Sequence, residues 1–167
     1  MDSGAAIFGI IILSFIIVPI VMLGTYKRKR EKQLVKAIFD LAASQQGTIS
    51  QHDYWANSSI GIDQTNNKLY FVQDARLHNA VLMVNLADVQ KSRIINASRT
   101  IRSNESNIIV TDKLELGLSM VDKNSEEIIF SFYDATKDSL TLAGELQLIN
   151  KWNDLINTSI NANSKRK

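Results

Sequence analysis

The 167-residue sequence contains no cysteine, a single proline and only two histidines. Without cysteine there is no disulfide framework, no thiol nucleophile and no thiolate-held zinc or iron–sulfur group. His52 and His78 lie in polar stretches with no second pair at metal-ligand spacing, and read as exposed residues. No H-E-x-x-H, G-x-S-x-G or glycine-rich phosphate loop occurs. Asp122–Glu127 has the acidity of a calcium loop but lacks its central glycine, and is placed where a hairpin turn is needed. No cofactor, no metal and no catalytic residue is therefore expected. An enzymatic alternative would have to assemble a site from scattered carboxylates such as Asp53, Asp63 and Asp74.

A charge bias of one sign is also missing. The chain has a net charge of +2 and a pI near 8.8, which superficially suggests a nucleic-acid partner. From Glu31 to Lys167, however, it carries 15 basic and 16 acidic residues, a net charge of −1. The basicity belongs to Lys27–Arg30 and to the terminal Lys165-Arg166-Lys167, so no nucleic-acid partner is expected.

What the sequence does have is one long apolar run. Ala5–Leu23 is uncharged, and the uncharged stretch continues to Tyr26. Such a run makes a helix of roughly 33 Å, sufficient for a ~30 Å hydrocarbon core, and Gly9 and Pro19 are tolerable within it. A cleaved signal peptide would place its positive charges first and end at small residues. Here the order is reversed, with acidic Met1–Gly4 ahead of the run and Lys27, Arg28, Lys29, Arg30 and Lys32 behind it. The positive-inside rule predicts a retained single-pass anchor, N-terminus outside and the remainder in the cytoplasm, at the cell (inner) membrane. Those five basic residues are predicted to contact lipid head groups.

Four regions follow from this division: tail and membrane helix at 1–26, basic segment and connecting helix at 27–47, a β-rich cytoplasmic domain at 48–161, and a basic tail at 162–167. In the connecting helix Leu34, Val35, Ile38, Phe39, Leu41 and Ala42 form one apolar stripe that Gly47 ends. The stripe could pack on the following domain, on the bilayer or on a second copy.

Beyond Gly47 short alternating or β-branched segments take over. Ser58–Asp63 and Lys68–Val72 flank Gln64–Asn67, a hairpin in which asparagine supplies the left-handed turn. Strands are predicted at Ala80–Leu86, within Val89–Ala97, and at Ile108–Val110. Lys113–Val121 and Glu126–Tyr133 form a further hairpin around Asp122–Ser125, with Leu114, Leu116, Leu118 and Met120 on one face. Gly61 and Gly117, inside strands, are expected to mark bulges or bends. From Ser139, capped by itself or by Asp138, an amphipathic helix is predicted from Leu142, Leu146, Ile149, Trp152, Ile156 and Ile160. Its end, from Asn161, is expected to fray. Tyr54 and Trp55, ahead of the first predicted strand, either close the end of the sheet structure or meet a partner.

The fold class is thus α+β: a membrane helix, then a mostly antiparallel small β barrel or sandwich capped by a C-terminal amphipathic helix. With GIDQTNNKLYFV near its start and LQLINKWNDLI at its end, the stretch from Ser50 to Ile160 resembles a bacterial pleckstrin-homology-like (PH-like) domain. That resemblance implies a partly open barrel of two bent sheets and a scaffold for a ligand or protein. Phosphoinositide-binding relatives hold phosphates with a basic first loop, whereas Gln64–Asn67 is uncharged, so head-group recognition there is not expected.

The function expected is a non-enzymatic binding or scaffold module, anchored by one span, that recruits a protein or peptide at the inner leaflet. The partners are then membrane lipids through the anchor and a protein or peptide, with Tyr54 and Trp55 as contacts. A structural membrane protein that self-associates through the Leu34–Ala42 stripe is the alternative.

Overall fold

A computed structural model describes residues 28–73, 81–102, 107–138 and 141–164. The expected membrane span, Lys27, Asp74, His78, Ser139 and Lys165–Lys167 lie outside the described residues. Among the described residues no helix is long and apolar enough to cross a membrane.

Helix α1 (28–44) is followed by β1 (Gln51–Trp55), β2 (Ser58–Asp63), β3 (Lys68–Gln73) and β4 (Val81–Asn85). A single 3₁₀ turn, Leu86–Asp88, leads to β5 (Val89–Arg102), β6 (Asn107–Met120), β7 (Ile128–Asp134) and helix α2 (Glu145–Ser164). The first four strands form one antiparallel sheet in the order β1-β2-β3-β4, and the last three form another, β5-β6-β7. Neither sheet closes on itself, so of the expected barrel or sandwich no closed barrel forms, and two open antiparallel sheets stack instead. The stacking is direct: Trp55 lies on Phe132 with ring centroids 4.1 Å apart, and Phe71 on Phe130 at 4.6 Å. Leu69, Leu114, Leu116, Leu118 and Phe130 fill the space between, and α2 closes it with Ile149, Trp152 and Ile156.

A second, smaller core lies on the other face of the first sheet. There Leu34, Ile38 and Ala42 of α1 pack on Tyr70 and Val72, with Ile49 alongside. All six residues of β2 are buried as a result, because the strand is covered on both faces. The Ser59 hydroxyl donates to the Leu34 carbonyl at 2.9 Å, fixing helix to strand. Leu34, Ile38 and Ala42 of the α1 stripe are therefore covered by their own domain, whereas Phe39 is left exposed, and a helical dimer along Leu34–Ile38–Ala42 would have to displace that packing.

Several local expectations change for identifiable reasons. Gly61 lies in an unbroken register opposite Tyr70, and what requires glycine is the helix: a Cβ there would meet Ile38 Cδ1 at 3.0 Å. Gly117 likewise sits in regular register opposite Arg93. The register shifts fall elsewhere, at Val89/Lys91 and Ala97/Ser98 and at Leu114/Glu115. The last of these skips Phe132, so that Phe132 and its neighbour Tyr133 are both buried. The end of α1 is a Schellman arrangement, with the Gly47 amide donating to Ala42 O at 2.8 Å and the Gln46 amide to Ala43 O at 3.0 Å. Gln46, not Gly47, takes the left-handed φ of 55°. Gly47 is needed because a Cβ would meet the Tyr70 hydroxyl at 2.6 Å.

The segment around Gln51–Trp55, which carries no strong strand signal, is a strand. The short strand expected at Ile108–Val110 is the start of a 14-residue β6. The C-terminal helix begins at Glu145, later than its apolar pattern suggests, and runs to Ser164. Leu142 precedes it, and Leu146 is exposed; Leu148 and Leu155 pack against the core in partly buried positions.

Candidate functional site

The features that stand out as a candidate binding surface gather along β1. This strand is one of the two edge strands of the first sheet, and its residues alternate strictly. Trp55 is buried in the core, whereas His52 and Tyr54 are exposed on the side that faces α1. Asp53 points the other way, accepting from Trp152 Nε1 at 2.9 Å and Lys151 Nζ at 2.5 Å. These bonds tie the edge strand to α2 across 99 residues of sequence.

The backbone of β1 can be oriented from its turn. Ala56 and Asn57 form a two-residue connection, Ala56 with φ of 42°, closing on the Trp55–Ser58 pair. Hydrogen-bonded pairs alternate along an antiparallel ladder. Trp55, Asp53 and Gln51 therefore bond β2, and His52 and Tyr54 direct their N–H and C=O groups to the open edge.

Beside this edge a groove of about 580 Å³ separates β1 from α1. One wall carries Glu31, Lys32, Val35, Lys36 and Phe39, and the other His52, Asp53 and Tyr54. Phe39 meets His52 edge to face, with centroids 5.2 Å apart. A hydrogen bond to the Glu31 carboxylate, with a smaller part from burial, raises the Tyr54 hydroxyl above the ordinary tyrosine pKa. Lys36 is held by Asp40 at 2.5 Å. The groove thus combines apolar Val35, Phe39 and Tyr54 with charged groups of both signs. Such a lining suits the side chains of an extended chain segment better than a single charged ligand.

The residues singled out in the sequence separate accordingly. Tyr54 lines the groove and is 46% exposed, while Trp55 is a core residue at 7%. Arg28, Lys29, Arg30 and Lys32 lie within the described part of α1, and Lys32 lines the groove. His52 is exposed, as expected, but in a strand. Asp53 and Asp63 do not converge. The register sets Asp53 opposite Ile60, three residues from Asp63, and each carboxylate is occupied locally. Asp63 is buried and accepts from the amides of Thr48 (2.7 Å), Thr65 and Asn66 (both 2.9 Å) and from Asn66 Nδ2 (2.8 Å). Burial alone would raise its pKa, but the donors from Asn66, Thr48 and Thr65 together outweigh it and hold the carboxyl below the usual value. Its place is to lock the β2–β3 turn, where Asn67 takes the left-handed φ of 54°. Among the described residues, no three His, Cys, Asp or Glu side chains come together as a metal cage.

Two site features were not read from the sequence. The groove brings Phe39 to His52 and Glu31 to Tyr54, proximities no local pattern encodes. The strand signal of QHDYW is an alternation diluted by polar residues, its inward Asp53 being legible only as a partner for a buried indole.

No protein-family model matches the chain, and no curated protein or solved structure matches it either.

Proposed function

We propose that this chain is a membrane-anchored, non-enzymatic binding module of the PH-like kind, which captures an extended segment of a protein partner at the inner leaflet. The observation that carries it is the open β1 edge beside the groove of about 580 Å³. A segment adding to β1 would bond the outward N–H and C=O groups of His52 and Tyr54. Alternate side chains of that segment would enter the groove over Val35 and Phe39. The order of four strands, three strands and a terminal helix supports the PH-like assignment. The uncharged stretch at 5–26 with the basic residues behind it supports the anchor and its orientation. Tethering raises the effective concentration for partners in the same membrane, so a shallow, mixed-charge groove suffices for selective capture.

The test uses the full chain in its membrane, with a photo-crosslinking residue in place of Tyr54 and, as a control, in place of exposed Val121. A discrete adduct at position 54 and none at 121 is expected. His52→Pro removes an outward donor without touching the β1–β2 ladder, and should abolish the adduct while the buried-tryptophan emission stays native. An adduct of equal yield in the proline variant, or equal labelling at both positions, refutes strand addition at β1.

A further inference from the structure

The second sheet ends in an arm. β7 pairs with β6 only as far as Lys113, opposite Asp134, with one more bond from the Ala135 amide to Asp112 O. Beyond this, Ser98–Arg102 and Asn107–Thr111 continue as a two-stranded ribbon. Every residue of β5 from Asn96 to Arg102 is exposed. An isolated two-strand ribbon is marginal in water, yet this one leaves Ile101, Ile108 and Ile109 at 45, 51 and 74% exposure. Ile101 and Ile108 are direct cross-strand partners on one face, and Ile109 is on the other.

The two edges of the arm differ. β5 carries Lys91, Arg93, Arg99 and Arg102, charges of the kind that keep edge strands apart. Its root is also closed by α2: the Ser92 amide donates to Asn157 Oδ1 at 2.9 Å, and Asn157 Nδ2 donates to Ser92 O at 3.0 Å. Among the described residues, the outer edge of β6 beyond β7 has no such device. Asn107-Ile108-Ile109-Val110-Thr111 is uncharged, free of proline and glycine, and four of its five residues are β-branched.

We propose that this β6 edge is a self-association surface, occupied by the same edge of a second copy in antiparallel pairing about a two-fold axis near Ile109. A two-fold contact of one patch with itself closes after two chains. Its residues meet only uncharged residues, so no like charges are opposed. Between Asn96 and Asp112 the chain carries two arginines, Arg99 and Arg102, and two acids, Glu105 and Asp112; two arms therefore approach without net repulsion. The pairing covers the open backbone groups of β6 and part of the exposed isoleucine surface in both copies. Hydrocarbon is a poorer occupant, because the residues joining the strands, Ser103–Ser106, are polar and include a carboxylate.

The experiment follows the mass of the full chain in mild detergent over a dilution series. The wild type should be a dimer. Ile109→Lys sets two ammonium groups against each other at the axis and should raise the dimer dissociation constant at least about tenfold, with the emission of buried Trp152 unchanged. Because the chain has no native cysteine, Ile109→Cys should form an intermolecular disulfide under mild oxidation, and Val121→Cys should not. A monomeric wild type, or an Ile109→Lys variant as dimeric as the wild type, overturns the proposal. So does a thiol at position 109 that is protected from maleimide only in phosphatidylglycerol–phosphatidylcholine nanodiscs, which would assign the arm to lipid. Protection only on adding a different protein would assign it to that partner, and equally overturns self-association.

Discussion

Strand β2 and the outer half of β5 and β6 both carry isoleucines, yet their surroundings are opposite. In β2 both faces are covered, by the second sheet on one side and α1 on the other, and all six residues are buried. In the arm neither face is covered, and isoleucines stand in solvent. Isoleucine in a strand is thus common to both, and what separates them is whether another element arrives to take up the apolar surface. A doubly covered strand contributes stability. An uncovered one contributes little to its own domain and is available to something else.

Truncating matched isoleucines should give the widest separation between the two regions. Ile38→Ala, at the fully buried contact of α1 with the sheet, is expected to cost about 2–5 kcal/mol in denaturant unfolding. Ile109→Ala, measured at concentrations where the chain is monomeric, should stay within about 0.5 kcal/mol. A loss at Ile38 as small as that at Ile109 would mean that α1 is not integral to the domain.

An intermediate effect is expected where the second sheet meets α2. Asn157→Ala removes both partners of the Ser92 backbone and should cost about 1–3 kcal/mol. Hydrogen exchange at the Ser92 amide should accelerate with it. Unchanged protection there would show that the clamp contributes nothing to guarding β5.

The smallest difference lies between two turns. Asp63 is buried in its turn, whereas Asp122 accepts from the Asn124 amide (3.0 Å) and the Ser125 hydroxyl (3.3 Å) in an exposed one. Because the folded Asp63 carboxyl is held below its unfolded value, its contribution is complete above the ordinary carboxylate pKa of about 3.9. That contribution is lost as pH falls through the depressed folded value. The urea midpoint of the wild type should therefore fall more steeply below about pH 4 than that of Asp63→Asn. Asp63→Asn itself should cost about 1 kcal/mol at neutral pH. Asp122→Asn should change the midpoint by a few tenths at most. Parallel acid limbs for the wild type and Asp63→Asn would show that the carboxylate is not what locks the turn.

How far each element was legible follows from how local its cause is. The Lys113–Tyr133 hairpin was plain because Leu114, Leu116 and Leu118 alternate into one core. The α1 stripe was plain because its period is helical. Gly61 was visible but misread. A glycine in a strand signals either a bulge or a close neighbour, and only the position of Ile38 distinguishes them. β1 was missed since Asp53 occupies an inward position, a placement that makes sense only once Trp152 and Lys151 stand beside it. In the site, Tyr54 was marked by its chemistry, but its separation from Trp55 to the opposite face follows from the strand neither neighbour announces.

The sequence by itself determined a pattern: an uncharged run at 5–26, a basic cluster behind it, and a stretch from Glu31 onward with a net charge of −1 that is rich in alternating and β-branched segments. These follow from composition and short-range periodicity, which need no knowledge of distant neighbours. The tertiary structure alone decided which surfaces remain open. It spent Leu34, Ile38 and Ala42 on the first sheet, left Val35 and Phe39 to line a groove, and carried Ile108 and Ile109 beyond the reach of β7. Exposure depends on how the elements are assembled, so identical apolar residues become core in one place and open surface in another.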